Sequence, residues 1–120
     1  MSPGSRIIFV TSHMAHFYAE RGMTGPYQPV AASKHAGEQA LRARQRELFD
    51  RGIALAIVSG DMIDGTITPR LLERMDRGTT NARLEQVGKL PTVPEFAFAI
   101  AEAVANAHPP GHTVFVGSTD

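Results

Sequence analysis

Three groups of side chains in this sequence have the types and spacing to do chemistry. Thr11 and Ser12 close the apolar run Ile7–Thr11, which sets hydroxyls at a strand terminus. A strand-end serine can hydrogen-bond a ligand oxygen, or it can tie down the backbone of the loop that follows. Lys34 lies near the start of a helical pattern, on the face that also carries Val30, Gly37, Leu41 and Leu48. An ammonium there either serves a site at the sheet or snorkels to the edge of the layer. Asp61 and Asp64 form a carboxylate pair after the second apolar run, placed for acid–base work or for capping their own loop. His13 and His16, with His35 nearby, have ligand-like spacing, but no Cys or carboxylate set accompanies them, so a metal site is not expected. His13 would be a polar group at the mouth of a crevice.

The elements that must position these groups are legible in the pattern. Ile7–Thr11 and Ile53–Ser59 are apolar without alternation, which reads as strands buried on both faces, as in a parallel sheet. Thr113–Val116 is a third strand. Residues 13–28 hold Gly22, Gly25 and Pro26 with no clear period and read as a loop. Pro29 suits a first helical position, and the helix it opens should run to about Arg51 before Gly52. That helix has a second face of Ala32, Ala36, Ala40 and Ala43, expected to receive another helix. Thr68-Pro69 should open a short helix through Leu71, Leu72 and Met75, and residues 80–88 another. Thr92-Val-Pro-Glu95 is a capping box, and its helix should bury Phe96, Ile100 and Val104.

Strand, helix, strand, helices, strand gives three parallel strands joined by right-handed crossovers. The fold class is α/β, a partial Rossmann-like, doubly wound sheet. Its first strand is left with an open edge. Ligands of such sheets bind beyond the carboxyl ends of the strands, here at Ser12-His13, Gly60-Asp61 and Gly117-Ser118.

Composition narrows the function. The chain has 120 residues, and 12 Lys+Arg balance 12 Asp+Glu, so no basic excess points to nucleic acid. It has no cysteine, which excludes disulfides, thiolate metal sites and cysteine nucleophiles. No apolar run is long enough to span a membrane, and a cytoplasmic setting is expected.

Arg6-Ile-Ile-Phe-Val-Thr-Ser12 followed by Val30-Ala-Ala-Ser-Lys34-His-Ala-Gly37 resembles the short-chain dehydrogenase/reductase family, where a strand ends in a serine pair and Tyr-x-x-x-Lys opens the long helix. Ser59-Gly60 through Thr66 is similar to that family's Pro-Gly-x-x-x-Thr segment, and Gly88 through Glu95 to its Gly-Arg-x-x-x-Pro-Glu segment. The resemblance implies an oxidoreductase acting on a small-molecule alcohol or carbonyl with NAD or NADP. It implies Ser12 as the substrate-binding serine and Lys34 as the lysine that lowers a tyrosine pKa and holds the nicotinamide ribose. It also implies that Gly60 and Thr66 meet the cofactor. The family's tyrosine position is Val30, which has no proton to give; Tyr27, seven residues before Lys34, is the candidate replacement, with Tyr18 more distant. The glycine-rich pyrophosphate fingerprint has no counterpart, so the chain resembles only the C-terminal part of the family fold. The expectation is a truncated or split oxidoreductase that is inactive alone, or else a non-catalytic module. Either would pair as a homo-oligomer or with a complementary N-terminal half.

Overall fold

The computed structural model describes residues 1–64, 67–75 and 77–120. Three parallel strands form one sheet in the order β1-β2-β3: β1 Arg6–Ser12, β2 Ala54–Gly60 and β3 His112–Val116. Ile57 pairs with Phe9 on one side and Thr113 on the other, so β2 is the central strand. Leu55 through Gly60 are all buried, which is why this segment shows no alternation. The strands and their parallel sense are those expected from the sequence. β1 lies at a sheet edge, as expected, with Val10 45% exposed.

The helices clothe the two faces. On one face, α7 (Val93–Ala105) packs Phe96, Ala99, Ile100 and Ala103 against Ile8, Val58, Val114 and Val116. The capping box is formed: Thr92 Oγ1 accepts from Glu95 N at 3.3 Å. Val104 departs from expectation and is 52% exposed, because Ala103 occupies the buried position instead. On the opposite face, α3 (Gln28–Ala43) sits over β1, with Gly37 against the Phe9 ring, and α4 (Gln45–Asp50) lies against β2. The single helix expected to Arg51 is therefore two. At Arg44 the backbone tightens, its N–H reaching Leu41 O, and α4 then brings Leu48 O to Ile53 N at the start of β2. The alanine stripe does not receive a helix among the described residues: Ala36, Ala40 and Ala43 are exposed.

The stretch 13–28 is not an irregular loop. It holds two short helices, α1 (His13–His16) and α2 (Tyr18–Arg21). The overlooked signal was Ser12, whose side chain accepts from Ala15 N at 3.2 Å and caps α1. A buried carboxylate fastens this region. Glu38, 1% exposed, accepts from His16 Nδ1 at 2.9 Å and from Arg42 Nε at 2.8 Å, while Arg42 also donates to Gly111 O and Thr113 Oγ1. Above it, Phe17 and Phe115 stack at 5.7 Å with His13 and His16 against their edges.

Between β2 and α7 lie α5 (Ile67–Met75) and α6 (Thr79–Val87). α5 begins before the expected Thr68-Pro69 cap. Gly78 precedes α6 and has no side chain to cap it; Glu73 does so from α5, accepting from Gly78 N at 2.7 Å and Thr80 N at 3.2 Å. These two backbone N–H donors hold the Glu73 carboxyl below its ordinary range. No helix among the described residues is long and apolar enough to cross a membrane.

Candidate functional site

A cleft of about 170 Å³ opens at the carboxyl ends of β1 and β2, beside the free edge of β1. Ser12, Tyr27, Lys34 and Gly60 all line it, together with Asp61 and Phe96. The structure thus brings Ser12, Tyr27, Lys34 and Gly60 to one cleft; Thr66 lies outside the described residues.

Each side chain is delivered by local physics. Ser12 ends β1 and caps α1 through an oxygen lone pair, which leaves its hydroxyl hydrogen free to donate. Pro29 does not break the helical register between Tyr27 and Lys34. It sits in the first turn, where no N–H is needed, and Ala31 N already bonds Tyr27 O. Tyr27 therefore has αR geometry as the residue before α3, two turns from Lys34. Its ring is buried against Ala15, Ala31 and Leu72. Among the described residues, the Lys34 ammonium makes no ion pair and the Tyr27 hydroxyl no hydrogen bond, so both polar ends are uncommitted.

Val30 points elsewhere. It is 41% exposed and does not line the cleft. Tyr18 is engaged structurally, its hydroxyl accepting from Gln28 Nε2 at 2.7 Å. Gly60 has a steric reason to be glycine: a Cβ there would lie 2.4 Å from the Phe96 ring.

A second cavity of about 180 Å³ adjoins the first and shares Met14, Gly60, Asp61 and Met62 with it. His13 stands in its wall, 5% exposed, rather than at an open mouth. Its Nδ1 is 2.7 Å from Ser59 Oγ, and its Nε2 is buried without a hydrogen-bond partner. Burial pushes the imidazole below its ordinary value; Asp61 and the nearby Gly117 backbone oppose this, and Arg83 and His16 add to it. The Gly117 backbone favours the charged ring without reaching hydrogen-bonding geometry.

The histidines do not converge. His16 turns to Glu38 and His35 Nδ1 to Ala15 O, and no cluster among the described residues could hold a metal. Asp61 and Asp64 are not an acid–base pair: Asp64 is exposed, and Asp61 accepts from Met62 N and pairs with Arg83 Nε at 2.9 Å. Arg83, which sequence reasoning missed, also donates to Ser118 O and Asp120 O, fastening α6 over the ends of β2 and β3. A lone arginine on a polar helix carries no local signal of such a role.

No protein-family model and no curated protein matches the chain. Among solved structures, its fold is similar to that of a tyrosine-to-phenylalanine variant of ElxO with NADPH bound, at a TM-score of 0.63 and 20% identity. The match covers 92% of this chain and 44% of that one, so this chain spans less than half the length of the structure it resembles. The shared fold is a partial Rossmann-like one: a three-stranded parallel sheet with helices on both faces.

Proposed function

We propose that this chain contributes the substrate side and the nicotinamide-ribose side of an NAD(P)-dependent oxidoreductase of short-chain dehydrogenase type. The observation that carries the reading is the convergence of Ser12, Tyr27 and Lys34 on one cleft, with the last two polar ends uncommitted. The similar fold of ElxO, solved with NADPH, supports it. The residues present fit one end of a dinucleotide. Lys34 would hold ribose hydroxyls, and Gly60 lines the same cleft. The pyrophosphate end has no match: Gly22 lines the neighbouring cavity, not this cleft.

The bound dinucleotide would supply hydride. Ser12 would donate its hydroxyl hydrogen to the substrate oxygen, and Tyr27 would move the proton. Pyrophosphate binding and turnover would come from a complementary N-terminal half joined at β1, which makes this chain the C-terminal part of the active unit.

The test is NMR titration of the chain with reduced nicotinamide mononucleotide, which lacks the adenosine half. Saturable shifts at Lys34, Ser12 and Tyr27, abolished by Lys34→Ala, are expected. Shifts that miss these residues refute the assignment. Tight stoichiometric NADPH binding would place a pyrophosphate site where none is argued.

The open β1 edge, with Val10 exposed, and the exposed alanine stripe of α3 favour a second reading: a non-catalytic module that pairs with another copy of itself. A stable monomer in sedimentation at micromolar concentration would remove it.

A further inference from the structure

We infer that the second cavity receives the non-reacting arm of the substrate, and that this arm is neutral, apolar and about the size of a ring. The inference rests on the proposed oxidoreductase reading, because it takes the reacting oxygen to lie at Ser12 and Tyr27.

The geometry supplies continuity. The two cavities share the wall formed by Met14, Gly60, Asp61 and Met62, so a small molecule anchored in the first can extend into the second. Beyond that wall the lining includes Phe17, Met23 and His13, beside the charged Arg21, Arg83 and Asp120. Aromatic and thioether groups favour a flat apolar partner. The volume, about 180 Å³, is below the roughly 300–1,000 Å³ of sites that enclose a whole small ligand, and so suits one ring-sized group.

Charge decides against an ionic arm. The lining carries Arg21 and Arg83 against Asp61 and Asp120, so the formal charges cancel. Arg83 and Asp61 are bound to each other at 2.9–3.1 Å through both carboxylate oxygens. Arg21 lies over the Phe17 ring at 4.1 Å and donates to Thr119 O. A carboxylate carried in as far as the Asp61–Arg83 pair would have to take Arg83 from Asp61, and an ammonium would have to take Asp61 from Arg83, while Arg21 and Asp120 are exposed. Either exchange leaves a buried charge without its partner, which is costly.

Met23 makes this testable, because it lines the second cavity and not the first, while Lys34 does the reverse. Methyl-labelled methionines of the intact chain are followed by NMR during titration with acetophenone, benzoate and benzylamine. Acetophenone is expected to shift Met23 together with Met14 and Met62, at least about tenfold more tightly than either ion. Met23→Glu, at a half-buried rim position, should abolish the shifts at Met14 and Met62. Shifts at Met14 and Met62 without Met23 would overturn the inference, as would benzoate or benzylamine binding as well as acetophenone. Failure of the cofactor reading shows separately, as nicotinamide mononucleotide that leaves Lys34 unmoved while Met23 still answers to acetophenone.

Discussion

Glu38→Gln should be among the most damaging conservative substitutions in this chain, although it lies outside both cavities. The carboxylate is 1% exposed and links three elements: His16 of α1, Arg42 of α3 and, through Arg42, Gly111 and Thr113 beside and within β3. Neutralising it leaves the Arg42 guanidinium without its counter-charge. Removing one partner of a buried pair costs about 3–5 kcal/mol. Arg42 is 26% exposed and keeps its bonds to Gly111 and Thr113, which favours the lower end, about 3 kcal/mol. Against a total of about 5–15 kcal/mol for a domain, that is a large fraction. In a chain of this length it lowers the melting temperature by on the order of 10 °C. Urea unfolding with an unchanged m-value is the measurement. A double-mutant cycle with Arg42→Met separates the pair from the rest of the cluster. A Glu38→Gln variant within about 0.5 kcal/mol of the parent chain would refute the reasoning, because the pair would then contribute nothing net.

Gly60→Ala places a Cβ 2.4 Å from the Phe96 ring and should destabilise by about 1–3 kcal/mol, partly restored by Phe96→Leu; unaffected stability would show that the ring moves freely. His13 is held below its ordinary value of 6.5 in the folded chain, so the unfolded chain takes up its proton first. The stability this contributes is fully present above 6.5 and declines as pH falls from there toward the lowered folded value; His13→Gln should flatten that decline in pH-dependent unfolding. Glu73 follows the same sign at lower pH: its capping of α6 is present above the ordinary carboxylate value of 4.5 and lost as pH falls through the folded one. Amide exchange at Gly78 and Thr80 should therefore quicken in acid, and should already be quick at neutral pH in Glu73→Ala.

The strands were legible because a central parallel strand must be apolar on both faces, and Ile53–Ser59 announces itself that way. The convergence of Ser12 and Lys34 was legible for a related reason: strand ends and the helix that crosses back must meet at one edge of such a sheet. Tyr27 was harder, since a proline two residues later argues against helix from composition alone, and only its place in the first turn removes the objection. The distant pairings of His13, Arg83 and Glu38 were not legible. Their partners, Ser59, Asp61 and His16, lie 46, 22 and 22 residues away, and nothing local in the chain records a pairing at that distance.

The short helix α1 explains why the site and the fold cannot be separated at Ser12. One lone pair of the hydroxyl caps α1, which fixes the oxygen at the end of β1. The same capping bond turns the hydroxyl hydrogen away from Ala15 N and leaves it as the group's remaining donor. In the proposed reading a substrate oxygen takes that donor, so the structural bond would set the direction of the functional one. Replacing Ser12 by alanine would remove both, whereas Asp would keep the cap and lose the donor. The two variants should therefore differ. Ser12→Ala should loosen α1, read as faster amide exchange at Ala15, whereas Ser12→Asp should hold α1 and weaken only the binding of a carbonyl probe such as acetophenone. Equal loss of probe binding and of α1 protection in both variants would mean that the hydroxyl only builds the fold.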